Sequence, residues 1–157
     1  MNGFAEMTDE TGGGFLFPMD NIEEPGTHDV SPSSIARGCI SETLFKLECL
    51  KRGLMPFEPS HHDTKCDLVL LSGKGALIAI QVKRAYWDSG RWAISSHAGR
   101  DSEKYRSYTA KDFHFLAAHI PEGDVFCFWP VEFIAGRKKL SWRSGISPAN
   151  NWEDLER

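Results

Sequence analysis

Residues 66–84 read CDLVLLSGKGALIAIQVKR, and this stretch decides the fold. Two apolar runs flank a Gly-Lys-Gly segment, a pattern typical of a β-hairpin with a tight turn. A turn centred on Lys74 places Asp67 opposite Gln81, because paired positions are then equidistant from the centre. Side chains alternate between the two faces of a strand, so Asp67, Gln81 and Lys83 share one face. The hairpin therefore combines an apolar body with an acid, an amide and an amine at one end.

One amphipathic helix precedes the hairpin. Ser31-Pro32 suits its start and Gly53 its end. At about 100° per residue, one apolar stripe runs along the helix. It comprises Ile40, Leu44, Leu47, Leu50 and Leu54, extended by Ile35, Cys39, Phe45 and Cys49, with Arg37, Ser41, Glu48 and Arg52 on the solvent side. Glu42 falls inside the extended arc, where a carboxylate needs a partner. Lys46 could be that partner at i+4, and a partly exposed ion pair explains the two residues equally well.

The rest of the chain predicts more strands. The expected strands are residues 55–58, 66–72, 76–84, 113–119, 125–129 and 138–142, with a hairpin at 86–94 that continues the sheet. A loop is expected at 96–111, a helical turn at 130–134 and a short terminal helix at 152–157. An opening helix followed by these strands indicates a mixed α/β domain.

Composition excludes several classes of protein. The chain has 157 residues, 41% of them hydrophobic, which is enough for one core in one domain. No apolar run approaches the ~18 residues that span a bilayer, and the first residues have neither a cationic start nor an apolar stretch. The four cysteines form no CxxC pair, which favours reduced thiols in a cytosolic, non-secreted protein. We therefore exclude membrane, collagen-like, disulfide-scaffold and wholly disordered proteins.

The net charge of −4 hides a division of the chain. Residues 1–34 hold seven of the 22 acidic residues and no Lys or Arg. Residues 35–157 hold all 18 Lys and Arg with the other 15 acids, so this body carries about +3. The Gly- and Pro-containing segment 1–34 is predicted to be a flexible acidic leader, since it buries too little to offset its ordering entropy. An alternative is that the leader shields a basic surface until a polyanion displaces it.

The unusual polar residues form a set with chemical meaning. Glu42 lies on the helix, Asp67 on one hairpin strand, and Gln81 and Lys83 on the other. Two carboxylates and an amide oxygen are hard ligands suited to Mg²⁺, and the carbonyl of Val82 could add another. Such a cation lowers the pKa of bound water, and a lysine beside it can stabilise charge on a phosphate. These parts would serve metal-assisted hydrolysis of a phosphodiester.

The order of these residues resembles a known pattern. A Glu on the first helix, then an Asp, then a (D/E/Q)-x-K strand is the pattern of the PD-(D/E)XK nuclease superfamily. Three segments, residues 38–42, 66–70 and 80–83, are similar to the small branch that includes group I intron homing endonucleases; archaeal Holliday-junction resolvases are more distant relatives. The later segments 108–113 and 126–130 and the region around Trp152 also resemble that branch. The resemblance covers residues 35–157 and none of the leader.

The resemblance implies a fold, an activity and a site. The fold is a restriction-endonuclease-like core of the αβββ-αβ type, with a mixed central sheet flanked by helices. The activity is a Mg²⁺-dependent DNA endonuclease, site-specific in this branch, with Mn²⁺ as a substitute and double-stranded DNA as partner. The four catalytic positions are Glu42, Asp67, Gln81 and Lys83, of which the first three would hold the metal together with Val82. Cutting both strands requires two sites, so a homodimer or homotetramer is expected, in the cytoplasm or on the nucleoid.

Two positions depart from that pattern. Cys66 stands where Pro usually precedes the Asp, at a position that is not a ligand. Gln81 replaces the usual acid, which removes one negative charge and should weaken metal affinity, although this branch carries Gln there. A catalytically weak or inactive DNA-binding module on the same fold is therefore the alternative. Chance assembly of three polar residues on an ordinary hairpin also remains open, as does a partner-binding protein that acts through its acidic leader.

Basic residues interleaved with aromatic ones follow Lys83. Such a pattern fits contacts to phosphates and packing against a groove edge. The predicted nucleic-acid contacts are Arg84, Arg91, Arg100, Lys104 and Arg106. Alternatively, the Trp residues lie in the core and the cations are solvated.

Overall fold

The computed structural model describes residues 6–8, 14–16, 31–61, 64–98, 106–143 and 152–156. The chain divides into two units, Met1–Ser31 and Pro32–Arg157. The first unit contains an antiparallel pair of strands, β1 (Glu6–Thr8) and β2 (Gly14–Leu16). The other residues of the predicted leader before Ser31 lie outside the described residues, and its flexibility stays a prediction.

The second unit contains three helices and ten strands among its described residues. In chain order they are α1 (Ser34–Lys51), β3 (Met55–Phe57), β4 (Leu68–Leu71), β5 (Leu77–Arg84), β6 (Tyr86–Asp88), β7 (Arg91–Ser95), β8 (His97–Ala98), β9 (Arg106–Ser107), β10 (Phe115–Ile120), β11 (Val125–Pro130), α2 (Val131–Ile134), β12 (Lys139–Trp142) and α3 (Glu153–Glu156). None of the helices among these residues is long and apolar enough to cross a membrane.

Helix α1 begins later than the sequence predicts. The side chain of Ser33 accepts a hydrogen bond from the backbone N–H of Ala36 at 3.2 Å, so Ser33 is the N-cap in place of Ser31. The expected end is confirmed, because Gly53 follows the last turn with φ of +74°, a conformation that suits glycine.

The central sheet has the order β11-β10-β5-β4-β3. Strands β3, β4 and β5 pair antiparallel, whereas β10 pairs parallel to β5 and antiparallel to β11. The predicted mixed α/β fold with a mixed central sheet is therefore confirmed. Among the described residues between β5 and β10, the connection runs through strands and includes no helix.

The hairpin at residues 86–94 forms, but not in the predicted place. Strands β6 and β7 join β12 in a separate three-stranded sheet instead of continuing the central one. The change of sheet follows Ala85, which is buried and whose N–H donates to the carbonyl of His119 at 2.8 Å. The expected loop at 96–111 contains one further pair, β8 with β9.

Helix α1 buries only part of the predicted apolar stripe, together with Ser41 from the predicted solvent side. Ser41, Phe45 and Cys49, spaced four apart, are its buried residues, whereas Leu47 and Leu50 of the predicted stripe are about half exposed. The same correction applies to Ile35 and Ile40, which are also exposed. The reason is aromatic packing, since the ring of Phe45 lies 5.2 Å from that of Phe126, 6.1 Å from Phe128 and 5.5 Å from Trp152. Phe45, with its aromatic partners, therefore marks the centre of the buried face, and the residues of the stripe that lie away from it stay exposed.

Candidate functional site

The register of the hairpin β4–β5 brings Asp67 to Gln81. Leu68 pairs with Ile80 and Leu70 with Ile78, and the N–H of Asp67 donates to the carbonyl of Ile80 at 2.9 Å. This is the register predicted from a turn centred on Lys74. Asp67 therefore leaves the apolar body of the hairpin at the end farthest from the turn.

All the residues proposed for metal binding and catalysis line one hollow of about 510 Å³. Its walls are Glu42 from α1, Asp67, and Gln81, Val82 and Lys83 from β5. The other residues around it are Ser34, Arg37 and Gly38 on α1, Arg84 at the end of β5, and Ala85 and Tyr86 directly after it. Helix and hairpin, distant in sequence, thus meet at one concave surface.

Glu42 and Asp67 also line a second hollow, of about 260 Å³. Its other walls are Glu58, Pro59, His61, Thr64 and Cys66. The two carboxylates therefore stand between two cavities, one on the side of β5 and one on the side of the loop before β4. A group bound between them would be reached from both sides.

Asp67 is held in place by two donors. Its Oδ2 accepts from the N–H of Val82 at 2.7 Å and from the Nε2 of Gln81. The same Nε2 lies 3.4 Å from the carbonyl oxygen of Val82. Gln81 thus meets Asp67 with its amide nitrogen, whereas its predicted ligand atom is the amide oxygen. Rotation of the terminal amide by half a turn exchanges the two atoms.

The charges at the site are poorly solvated. Burial, followed by the negative charge of Asp67, raises the pKa of Glu42, while Lys46 and Lys83 oppose that rise. Burial likewise raises the pKa of Asp67, against the hydrogen bond from Val82 and the charge of Lys83. Burial lowers the pKa of Lys83 even though both carboxylates favour its charged form. Two carboxylates are thus held together with only partial compensation, an arrangement that favours a bound cation.

The donor set suits a hard cation. The described residues include no group of three or more His, Cys, Asp or Glu side chains that could hold a metal. What converges instead is two carboxylates, one amide and the carbonyl of Val82, all of which offer oxygen. Oxygen donors without sulfur or imidazole are typical of Mg²⁺ and Mn²⁺. The residues present therefore fit the predicted ion.

The predicted nucleic-acid contacts lie in different settings. Arg84 lines the larger hollow, and Arg91 is exposed on β7, where it pairs with Asp88 across the hairpin. Arg106 forms a 2.9 Å ion pair with Asp112, so part of its charge is already compensated. Arg100 and Lys104 lie outside the described residues.

Some residues at the hollow were missed by the sequence analysis. Arg37 was assigned to the solvent side of the helix, yet it lines the hollow, as does Tyr86. The spacing Ser34, Gly38, Glu42 was an available signal, because residues four apart share a helix face. A second difference is that Lys46 bonds to Glu58 and not to Glu42.

Comparison with known proteins indicates the fold. No family model matches the chain, and no curated protein matches it. Among solved structures, the chain is similar to a bacterial homing endonuclease, I-Ssp6803I, with a TM-score of 0.64 and 22% sequence identity. The match covers 75% of this chain and 83% of the other. The two chains therefore share a fold.

Proposed function

We propose that the chain is a metal-dependent endonuclease that hydrolyses phosphodiester bonds of DNA. The observation that carries the proposal is the convergence of Glu42, Asp67, Gln81, Val82 and Lys83 on one hollow. The fold shared with a homing endonuclease and the resemblance of the motif to PD-(D/E)XK nucleases support the same chemistry. Site-specific cutting of double-stranded DNA is the activity we expect.

The carboxylates of Glu42 and Asp67, with the Val82 carbonyl and the Gln81 amide oxygen, would hold Mg²⁺ or Mn²⁺. Bound there, the ion would lower the pKa of a water ligand and neutralise charge on the phosphate. The hydrogen bond from Val82 N–H keeps one oxygen of Asp67 oriented, which leaves its other oxygen for a ligand. In the absence of a cation, the same two carboxylates would repel a phosphate.

Lys83 supplies the positive charge beside the carboxylates. Its ammonium would donate to the attacking water or to a phosphate oxygen, and in the transition state it would offset the charge that develops there. Because burial lowers its pKa, the energetic cost of giving up a proton is smaller than for an exposed lysine. Orienting or activating the nucleophile is therefore the role we assign to it.

The rim of the hollow would contact the DNA backbone. Arg37 and Arg84 are cations at its edge, and Tyr86, about half exposed, lies beside them. Arg91 extends this surface along the β6–β7 hairpin. Phosphate contacts of this kind give affinity that falls as salt rises. Because one hollow holds one set of catalytic groups, we expect two copies of the chain for each duplex cut.

The test is a cleavage assay on the full chain. Supercoiled plasmid, branched DNA and single-stranded DNA are incubated with Mg²⁺, with Mn²⁺ and with EDTA. We expect cleavage with either metal and none with EDTA, and a loss of at least about 100-fold in Lys83→Ala and in Asp67→Ala. Lys74→Ala is the matched control, since it removes an exposed lysine from the turn of the same hairpin. Full activity in both site variants would overturn the assignment.

The same assay separates the alternative. Salt-sensitive DNA binding without cleavage in either metal would identify a catalytically inactive DNA-binding module. Gln81→Glu then becomes informative, because it restores the acid that the nuclease pattern usually carries at this position. An active Gln81→Glu variant of an inactive chain would show that the missing charge is the cause.

A further inference from the structure

A buried hydrogen-bond chain lies next to the site and takes no part in the chemistry proposed for it. Ser41 Oγ lies 2.8 Å from His119 Nδ1, and His119 Nε2 lies 3.1 Å from Asp124 Oδ1. These are the residue types of a hydrolytic triad. Ser41 and His119 are each only 1% exposed, however, so no substrate reaches the hydroxyl. The chain of three residues, here called the relay, must act on the protein itself.

The proton positions of the relay follow from its acceptor groups and from a neutral imidazole. A carboxylate only accepts, so the Nε2 of His119 donates to Asp124. In the neutral ring Nδ1 carries no proton and accepts the single hydroxyl proton of Ser41; the carbonyl of Arg37, 3.1 Å from Oγ, is the competing acceptor for that proton. Burial lowers the pKa of His119, although Asp124 opposes this effect. The lowered pKa favours the neutral form of the ring. In this arrangement both ring nitrogens of His119 have a hydrogen-bond partner.

The relay joins the two elements that form the site. Ser41 immediately precedes Glu42, and it is the first buried residue of α1, since residues 34–40 are exposed or half-buried. His119 pairs with Arg84 across β10 and β5, and its carbonyl accepts from Ala85 N–H at 2.8 Å. The ring of His119 also stacks on Phe126 at 5.0 Å. The relay therefore attaches the first half of α1 to β10, the strand that pairs with β5 and so with the residues Gln81 and Lys83.

We propose that His119 is a positioning residue, which through Ser41 holds the first half of α1 in place and so keeps Glu42 against β5. This inference rests on the proposed function, because it assigns Glu42 to metal binding. A metal ligand on a helix must be held from behind by contacts other than the metal, and loss of such contacts typically weakens metal binding about 10–100-fold. Without the relay, the nearest buried anchor is Phe45, one turn farther along the helix.

Three variants test the inference on the full chain. Ser41→Ala removes the hydroxyl. His119→Gln keeps an amide near the position of Nε2 and loses the bond to Ser41, whereas His119→Asn keeps an amide near Nδ1 and retains that bond. Both His119 variants lose the ring that stacks on Phe126, so both lose the same packing contact in the core. Asp124→Asn, on an exposed side chain, is the control that preserves the acceptor.

The first measurement is Mn²⁺ binding without DNA, with the free ion quantified by electron paramagnetic resonance. We expect the Kd to rise about 10–100-fold in Ser41→Ala and His119→Gln. In His119→Asn and Asp124→Asn it should stay within about three-fold of the unaltered chain, because the bond to Ser41 persists. Equal weakening in both His119 variants, or unaltered binding in Ser41→Ala, would overturn the inference.

The second measurement is amide hydrogen exchange of α1. In Ser41→Ala, exchange should accelerate at residues 38–42 more than at residues 46–50, which remain anchored by Phe45 and Cys49. Uniform acceleration along the helix, or none, would overturn the inference. This arm also separates the two hypotheses: if the unaltered chain binds no Mn²⁺, the proposed function fails, while hydrogen exchange still decides whether the relay anchors the helix.

Discussion

Two polar clusters include neighbouring residues of α1, Ser41 in the relay and Glu42 in the candidate site. They differ in how far the protein itself compensates their charge. At the relay, Ser41, His119 and Asp124 satisfy one another, and burial favours the neutral imidazole. At the site, Glu42 and Asp67 keep like charges close together, and burial raises the pKa of both. The first cluster stabilises the fold and the second costs stability.

The difference teaches how to distinguish structural from functional polar groups in this chain. A buried polar group that serves only the fold is expected to have its partners within the protein. Charges that the protein compensates only in part are retained where a ligand completes them. Substitutions at the adjacent residues Ser41 and Glu42 should therefore change stability in opposite directions.

The largest effect is expected for Glu42→Gln. This change keeps the shape of the side chain and removes a ligand charge, so cleavage should fall at least about 100-fold. The free energy of unfolding of the metal-free chain at neutral pH should stay the same or rise, because a partly desolvated charge is lost. Added Mg²⁺ should raise the Tm of the unaltered chain more than that of the variant.

Cleavage and urea denaturation of the same preparations check this prediction. A variant that loses stability in proportion to its activity would contradict it, since Glu42 would then serve the fold.

Ser41→Ala should lower the stability of the chain but leave cleavage at saturating metal unchanged. The free energy of unfolding should fall by about 1–3 kcal/mol, because the Nδ1 of His119 loses its partner in a buried position. Cleavage should recover at saturating metal, as the catalytic groups remain. Urea denaturation and a metal titration of the cleavage rate measure the two quantities; a stable Ser41→Ala chain that no metal concentration rescues would reverse our assignment.

Acidification should change the contributions of the two clusters to stability in opposite directions. The folded-state pKa of His119 lies below its ordinary 6.5, so its contribution to stability is present above pH 6.5 and is lost as pH falls toward the folded value. The folded-state pKa of Glu42 lies above its ordinary 4.5, so the folded chain gains stability as pH falls through that raised value.

We therefore compare metal-free His119→Asn and Glu42→Gln with the unaltered chain by urea denaturation between about pH 7 and pH 5. His119→Asn should lose less stability than the unaltered chain on acidification, and Glu42→Gln should gain less. The opposite signs of the two differences are the result that checks the prediction. If the pH dependence of stability changed with the same sign in both variants, the prediction would be wrong.

The smallest effect is expected for Asp124→Asn. The side chain is 64% exposed, and asparagine keeps an oxygen that can accept from His119 Nε2. Asparagine also tolerates the φ of +50° at this position. The unfolding free energy should change by less than about 0.5 kcal/mol. A larger loss would mean that the charge of Asp124, and not its hydrogen bond, supports the relay.

The hairpin part of the candidate site could be predicted because it depends on local sequence. A two-residue alternation and a turn around Lys74 are sufficient to align Asp67 with Gln81 and Lys83, and the structure has that register. The motif order supplied Glu42 as the fourth member. Arg37 escaped notice because a solvent-side cation on a helix has no distinctive pattern until another element approaches it.

The buried face of α1 was predicted only in part, for a physical reason: Phe45 and Cys49 of the predicted stripe are buried, but the face is centred elsewhere. Periodicity favours the face with more apolar residues, which included Ile40, Leu47 and Leu50. The sheet instead offers an aromatic cluster, and Phe45 enters it. Periodicity counts residues along a helix, whereas burial depends on the shape of the surface that meets it.

By itself, then, the sequence determined the hairpin register and the mixed α/β class, because alternation and turns depend on near neighbours along the chain. It proposed the polar residues of the candidate site, three of them from the hairpin and Glu42 from the order of the motif. Only the tertiary structure decided which face of α1 is buried and that β6 and β7 form a sheet of their own. It alone brought Ser41 to His119, 78 positions away. Contacts between distant segments depend on how elements pack, and packing is a property of the assembled surfaces, not of any one segment.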